Sequence, residues 1–236
     1  MKSLRLTTPA TIGVVVLVGL TVGAAGTLAQ EAKPQPPQPG VAEVYTLEGE
    51  FVRVAYNNYG FASLGYRLAN ASVGDEWMML QMGATLRGEN RKFELGRAAV
   101  TLDTPGPVGI AMASQEEYMK ANLQALEMRQ KMMVTDSVSY FPPEARNPCR
   151  LGFFTDPENR GALVLDAIPM TPKDACLGRV YFKVPGGIQH GQHYLNVVFD
   201  KGLVRVPFRI LTKEEEKTLS KSWKDIKKEH EKAFKQ

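Results

Sequence analysis

Few residues of this chain have the types and spacing that metal binding would require. His190 and His193 lie three positions apart, in or beside a predicted turn over residues 185–192, where both side chains could contact one metal ion. A protein zinc site needs three or four ligands, however, and no third candidate lies nearby in the sequence. We therefore interpret both as loop histidines, and we predict no metal ligand and no bound cofactor.

The sequence patterns of the common enzyme classes do not occur either. There is no Gly-x-Ser-x-Gly nucleophile elbow, no phosphate-binding loop and no dinucleotide fingerprint. His230 lies in a charged C-terminal segment, where a catalytic base would be exposed to solvent. The scattered Asp and Glu residues have no spacing that indicates a glycosidase pair. We predict no catalytic residue, and a hydrolase or carbohydrate-active enzyme with a site built from loops stays open as an alternative.

The two cysteines, Cys149 and Cys176, are 27 positions apart and lack the C-x-x-C spacing of redox proteins. In an oxidising compartment, two cysteines are more often paired than free. We predict a disulfide between them, with two buried free thiols as the alternative.

The first residues have the order of a secretory signal peptide: basic Lys2 and Arg5, an apolar run over 12–20, and small residues over 23–29. We predict a signal peptide over 1–29; cleavage after Ala25 or Ala29 would fit the preference for small residues, and we favour Ala29. An uncleaved membrane anchor is the alternative, because the apolar stretch is about as long as a spanning helix. The protein is therefore expected outside the cytoplasm, in the periplasm or secreted, with membrane contact only through this segment.

The next residues, 30–40, are rich in proline and predict an extended spacer. The chain has 29 basic and 25 acidic residues, a net charge of +4, which falls to +2 without Lys2 and Arg5. So small an excess does not indicate a nucleic-acid partner.

Residues 41–211 have the pattern of one mainly β domain. Three strands are predicted within 177–210; from Val204 onward the even positions are apolar, and Pro207 predicts a sheet edge. Trp77 opens a longer strand and is expected to anchor the core. Shorter strands are expected over 134–140, 151–154 and 162–165. The predicted architecture is an antiparallel β-sandwich.

Three stretches, Gly65–Asn70, Trp77–Leu86 and Gly178–Val184, together with the terminal strands, resemble the layout of immunoglobulin-like domains of unknown function in exported bacterial proteins. The resemblance implies an early strand pair, a Trp-bearing strand and a closing pair of apolar strands. It carries no functional residues to transfer.

Two helices interrupt this pattern. Ser114 and Glu117 form a capping-box pattern before a helix expected at about 115–132, whose methionines are expected to fill a gap over a sheet. Thr212 and Glu215 repeat the pattern before a charged helix over 212–236. Its narrow apolar stripe is expected to dock on its own domain, pair with a partner helix or lie on a membrane, and it contains the candidate partner-binding residues Leu219, Trp223, Ile226 and Phe234.

The sequence also contains one glycosylation motif, Asn70-Ala71-Ser72, which we expect in a surface loop. Taken together, these features favour a non-enzymatic extracytoplasmic domain that has a structural role or binds another envelope protein. A membrane-tethered accessory subunit of an envelope complex is a further alternative. The sequence predicts no oligomeric state.

Overall fold

The computed structural model describes residues 44–89, 91–155 and 161–233. The predicted signal peptide and spacer, residues 1–40, lie outside the described residues. The described chain is mainly β. Its strands are β1 (Val44–Gly49), β2 (Val52–Tyr56), β3 (Gly60–Gly65), β4 (Trp77–Leu86), β5 (Phe93–Gly96), β6 (Val100–Asp103), β7 (Ile110–Ala111), β8 (Asn147–Arg150), β9 (Ala167–Met170), β10 (Asp174–Lys183), β11 (Gly191–Phe199) and β12 (Gly202–Ile210). Its helices are α1 (Arg67–Asn70), α2 (Gln115–Lys120), α3 (Gln124–Met132) and α4 (Lys213–Ala233).

The strands form one large sheet, one of intermediate size and one small pair. The large sheet has the order β1-β2-β3-β4-β10-β8, the second has the order β12-β11-β6-β7, and β5 pairs with β9. Among the described strands, all pairs are antiparallel except β8 with β10, which is parallel and departs from the all-antiparallel prediction. The predicted strands at the end of the domain are confirmed as β10, β11 and β12.

The core lies where inner faces of the two larger sheets meet. In β12 the even positions Val204, Val206, Phe208 and Ile210 are all buried, as their alternation predicts. The ring of Phe208 lies 5.3 Å from that of Tyr66, which directly follows β3. β12 is the edge strand of its sheet, which confirms the prediction from Pro207.

The predicted disulfide is confirmed. Cys149 in β8 and Cys176 in β10 are register partners, and their sulfur atoms are bonded. The bond fastens the parallel edge strand to the large sheet, and the Cys176 side is fully buried.

The helix predicted at 115–132 is wrong as a single element. The Ser114 capping box is present, but α2 ends at Lys120 and α3 begins only at Gln124. Asn122 between them has φ of 45°, a left-handed conformation that asparagine tolerates and that ends a helix. Tyr118 and Leu126 are buried, whereas the three methionines expected in the core, Met119, Met128 and Met132, are exposed because they face away from the sheet.

Other local predictions also need correction. Trp77 is only half-buried, and the anchoring role falls to its fully buried neighbours Met78 and Leu80. The segments 134–140, 151–154 and 162–165, all within the described ranges, contain no β-strand. Apolar residues such as Val138 and Phe153 are buried there because these segments cover sheet surfaces without joining a strand ladder.

Candidate functional site

An extended segment, residues 133–146, crosses the outer face of the large sheet; we call it the strap. The Ser63 hydroxyl of β3 donates a hydrogen bond of 2.6 Å to the carbonyl oxygen of Val138 in the strap. Beside it, a Cβ atom on Gly83 would lie 2.2 Å from the Ser63 Oγ and 3.1 Å from the same carbonyl. The missing side chain therefore lets the strap approach the sheet and cover the outer face of β3, which is buried along its whole length.

On one side of the strap lies a hollow of about 420 Å³, which we call the helix groove. Trp223 of α4 lines this groove, together with Val134 and Tyr140 of the strap. Val134 is 78% exposed and Tyr140 is 40% exposed. Met132, 75% exposed, ends α3 just before the strap begins. The groove therefore presents aromatic and apolar side chains to solvent.

Charged groups in the helix groove bond the elements around it together. Arg67 of α1 donates to Asp136 of the strap at 2.7 Å and 2.9 Å, and to Glu50, in the β1–β2 turn, at 3.0 Å. Ser220 of α4 donates to the other oxygen of Glu50. Burial would raise the pKa of Glu50, but the hydrogen bonds from Ser220 and Arg67 hold it below its ordinary value. The hydrogen bond to Asp136 raises the pKa of Arg67, so the guanidinium stays charged.

The first half of α4 is docked on its own domain. Its predicted capping box is confirmed: the Glu215 N–H donates to the Thr212 hydroxyl at 3.3 Å, and the Thr212 N–H donates to Glu215 at 2.9 Å. Arg209 of β12 donates to the same carboxylate at 2.7 Å. Asn70 of α1 accepts a hydrogen bond of 2.6 Å from the Leu211 N–H. These contacts hold α4 so that Trp223 lies over the groove.

On the other side of the strap lies a second hollow, of about 360 Å³, which we call the sheet cleft. Its floor is the outer face of β4 and β10, where Gln81 and Arg179 are register partners. Its walls are strap residues 135–139 and residues 150–155, which follow β8. The floor is rigid because both strands are fixed in the centre of the large sheet.

Four ionisable residues occur among the described residues that line the sheet cleft: Asp136, Arg150, Arg179 and Tyr181. Asp136 is paired with Arg67. Arg150 donates to the carbonyl oxygens of Phe154 at 2.9 Å and Leu163 at 3.4 Å, and so holds the wall in place. Burial raises the pKa of Tyr181 to about 12, so it is a neutral donor near pH 7. Among the described residues, the cleft therefore contains two arginines, of which Arg150 bonds its own wall, and one carboxylate that pairs with Arg67.

The candidate partner-binding residues of α4 have different positions. Trp223 lines the helix groove, Leu219 is half-buried, and Ile226 is 50% exposed on the next turn. Phe234 lies outside the described residues. The structure thus brings Trp223 together with strap residues that are distant in sequence.

The interpretation of two loop histidines is wrong for His193. His190 is exposed in the turn, but His193 belongs to β11 and is fully buried, with Nδ1 3.0 Å from the carbonyl oxygen of Gly191. Its ring centre lies 5.2 Å from that of Phe208. Burial lowers the pKa of His193. Its placement indicates a role in the core.

The glycosylation motif is not in a surface loop. Asn70 ends α1 and is buried, and Ser72 is buried beside it. The Asn70 side chain instead joins α1 to the chain that leads into α4. A glycan on this nitrogen would displace that packing.

The sequence analysis did not predict that Arg150 and Arg179 line the sheet cleft, or that the strap forms one of its walls. Alternation along β10 places Leu177, Arg179 and Tyr181 on one face, so the sequence could have predicted that Arg179 shares a face with these two residues. The position of the strap was not, because it depends on contacts between residues far apart in the chain.

Comparison with protein-family models, with curated proteins and with solved structures finds no match to this chain. Within the described ranges, no group of three or more His, Cys, Asp or Glu side chains is placed to hold a metal ion. The helices of the described residues include none that is long and apolar enough to cross a membrane.

Proposed function

We propose that this protein is a non-enzymatic extracytoplasmic domain that binds another protein of the cell envelope through the helix groove. The observation that carries the proposal is the surface formed by the half-buried Trp223 and the exposed Tyr140 and Val134, beside the ionic network of Glu50, Arg67 and Asp136. Trp, Tyr and Arg are the residues most enriched among those that dominate binding energy in protein interfaces. The disulfide supports a location in an oxidising compartment.

The occupant is a polypeptide segment that inserts an apolar side chain between α4 and the strap. Exposed apolar surface next to a groove is typical of protein-binding sites, and Met132 and Val134 extend the apolar surface on one side. The groove is already formed, because hydrogen bonds from four elements hold its walls. Binding would therefore cost little conformational entropy, because the walls of the groove do not have to become more ordered.

We further propose that the two larger sheets form the immunoglobulin-like sandwich that the sequence resembles. Its support is the packing of Tyr66 against Phe208 and of Gly60 against Phe199 between these sheets. If residues 1–29 are retained as an anchor, the same groove would serve a membrane-tethered accessory subunit.

Crosslinking of the full-length protein in intact cells, followed by mass spectrometry, tests the proposal. Three variants are compared with the wild type: Trp223→Ala, a chain ending at Ile210, and Val198→Ala, which trims an exposed apolar residue of β11. We expect a partner crosslinked to the strap or α4 to be lost with the first two variants and retained with the third. The purified partner should then bind the wild type and lose roughly tenfold or more in affinity with Trp223→Ala.

Two results would contradict the proposal. One is that crosslinks map to surfaces away from the groove. The other is that Trp223→Ala, shown to be folded by its thermal unfolding, binds the purified partner as tightly as the wild type does.

A further inference from the structure

One side of α4 carries a row of exposed lysines, which we call the lysine ridge: Lys213, Lys217, Lys221, Lys224 and Lys228. Successive members are three or four positions apart, so at about 3.6 residues per turn they lie within roughly a quarter turn of one another. The rise of about 1.5 Å per residue separates successive lysines by roughly 4.5–6 Å and makes the ridge about 22 Å long. The helix therefore displays a single row of positive charges to solvent.

The carboxylates of α4 nearest to the domain are occupied by other groups. Glu215 accepts hydrogen bonds from Arg209 and from the start of the helix, and Glu216 accepts one of 3.4 Å from α1. The ion pairs between described residues include no lysine of the ridge, although Lys224 acts electrostatically on Glu50. The positive charge of the ridge is therefore directed mainly at solvent.

Exposed carboxylates limit the width of the ridge. Around the helix axis, Glu214 and Asp225 lie roughly 20–40° beyond Lys221, and both are exposed. A flat anionic surface such as a bilayer would meet these carboxylates together with the lysines, and like charges would repel it. A linear polymer avoids this repulsion, because it lies along the row of lysines and clear of the carboxylates beside it.

The spacing of the lysines favours a polymer whose charges are well separated. A nucleic acid strand carries a phosphate about every 3.4 Å, which is denser than the roughly 4.5–6 Å between successive lysines. In a polysaccharide with one carboxylate on each sugar, a whole ring separates neighbouring charges. Lysine ammonium groups are hydrated point charges that need no bidentate geometry, so they suit a row of single carboxylates.

We propose that the lysine ridge binds a linear acidic polysaccharide with one carboxylate per sugar, which lies along α4 with its carboxylates facing the lysines. The capping box at Thr212 and the hydrogen bond from Ser220 to Glu50 hold the first half of the helix, so the ridge has a fixed position before binding. This inference does not depend on the partner of the helix groove.

Fluorescence anisotropy of a labelled galacturonate hexamer, titrated with the purified full chain, tests the proposal. Labelled maltohexaose is the neutral match. We expect the galacturonate hexamer to bind and maltohexaose not to bind. The affinity for galacturonate should fall as sodium chloride rises from about 50 to 200 mM, because salt screens exposed charges.

The double variant Lys217→Gln, Lys221→Gln removes two central charges and keeps good helix formers at both positions. It should lower the affinity roughly tenfold, since each exposed charge contributes modestly. Glu214→Gln removes a flanking carboxylate and should strengthen binding.

The matched control is Lys173→Gln, Lys201→Gln, which changes the net charge equally. Both lysines are exposed; Lys201 precedes β12 at the end opposite α4, and the Lys173 carbonyl oxygen bonds the start of β8 at the far edge of the large sheet. This control should leave the affinity unchanged.

The proposal is overturned if the galacturonate hexamer does not bind, if maltohexaose binds equally well, or if the control variant loses as much affinity as the ridge variant. Tighter binding to phosphatidylglycerol vesicles or to single-stranded DNA, at equal concentrations of anionic groups, would also overturn it. The ridge variant should keep the protein partner crosslinked at the helix groove, so the two proposals can fail separately.

Discussion

His193 shows how one buried polar residue makes the stability of the domain depend on pH. It lies on the fully buried face of β11, and among the described residues its Nε2 has no hydrogen-bond partner. Burial in the core disfavours the charged imidazolium and lowers the pKa of His193 from its ordinary value of 6.5. The unfolded chain therefore takes up a proton at a higher pH than the folded chain does.

We predict that the free energy of unfolding falls as the pH drops below about 6.5, because protons then bind preferentially to the unfolded state. Above that pH the contribution of His193 is fully present. His193→Leu should flatten this part of the pH dependence, measured by urea unfolding between about pH 5 and 7.5. The same substitution at the exposed His190 is the control, and an equal change there would contradict the assignment to His193.

At the scale of elements, the strap decides which surfaces the domain offers. It crosses the large sheet where β3 and β4 carry Ser63, Gly65 and Gly83, and it separates the helix groove from the sheet cleft. Asp136 and Ser137 line both hollows. Any change that lifts the strap should therefore alter both sites together.

Gly83→Ala is predicted to lift the strap. The new methyl group would meet the Ser63 hydroxyl, Phe141 and the Val138 carbonyl, all within 3.1 Å. We expect a loss of about 1–3 kcal/mol in the free energy of unfolding, the usual cost of overpacking. Gly96→Ala is the matched control, since no atom lies within 4 Å of a Cβ there. Chemical denaturation measures both, and equal stability of the two variants would show that the strap is not tightly packed.

At the scale of the whole molecule, the disulfide limits the freedom of the unfolded chain. Cys149 and Cys176 close a loop with a sequence separation of 27, which contains one wall of the sheet cleft and the β9 strand. In the chain-entropy treatment, such a link destabilises the unfolded state more than it changes the folded state. The parallel β8–β10 pair would otherwise form only after a long loop has closed.

We predict that replacing both cysteines by alanine lowers the free energy of unfolding by about 3 kcal/mol. Denaturation of the wild type with and without a reducing agent is the control and should show a similar difference. A double variant as stable as the oxidised wild type would exclude a stabilising role for the bond.

The local features that the sequence predicted correctly depend on short-range rules. Alternation of apolar residues from Val204 to Ile210, the edge position of Pro207 and the capping boxes at Ser114 and Thr212 follow from neighbours within a few positions. The pairing of Cys149 with Cys176 followed from there being only two cysteines. The mainly β class of the described chain is the sum of such local preferences.

Only the tertiary structure determined which side chains of these elements are buried and which segments cover them. The exposed methionines of α2 and α3, the half-buried Trp77 and the buried His193 all depart from local expectation, because burial depends on which distant segment packs above a residue. The helix groove joins Trp223 to residues some 80 to 170 positions earlier, and the sheet cleft joins Gln81 to Arg179. Sites of this kind arise only when long-range packing brings such residues together.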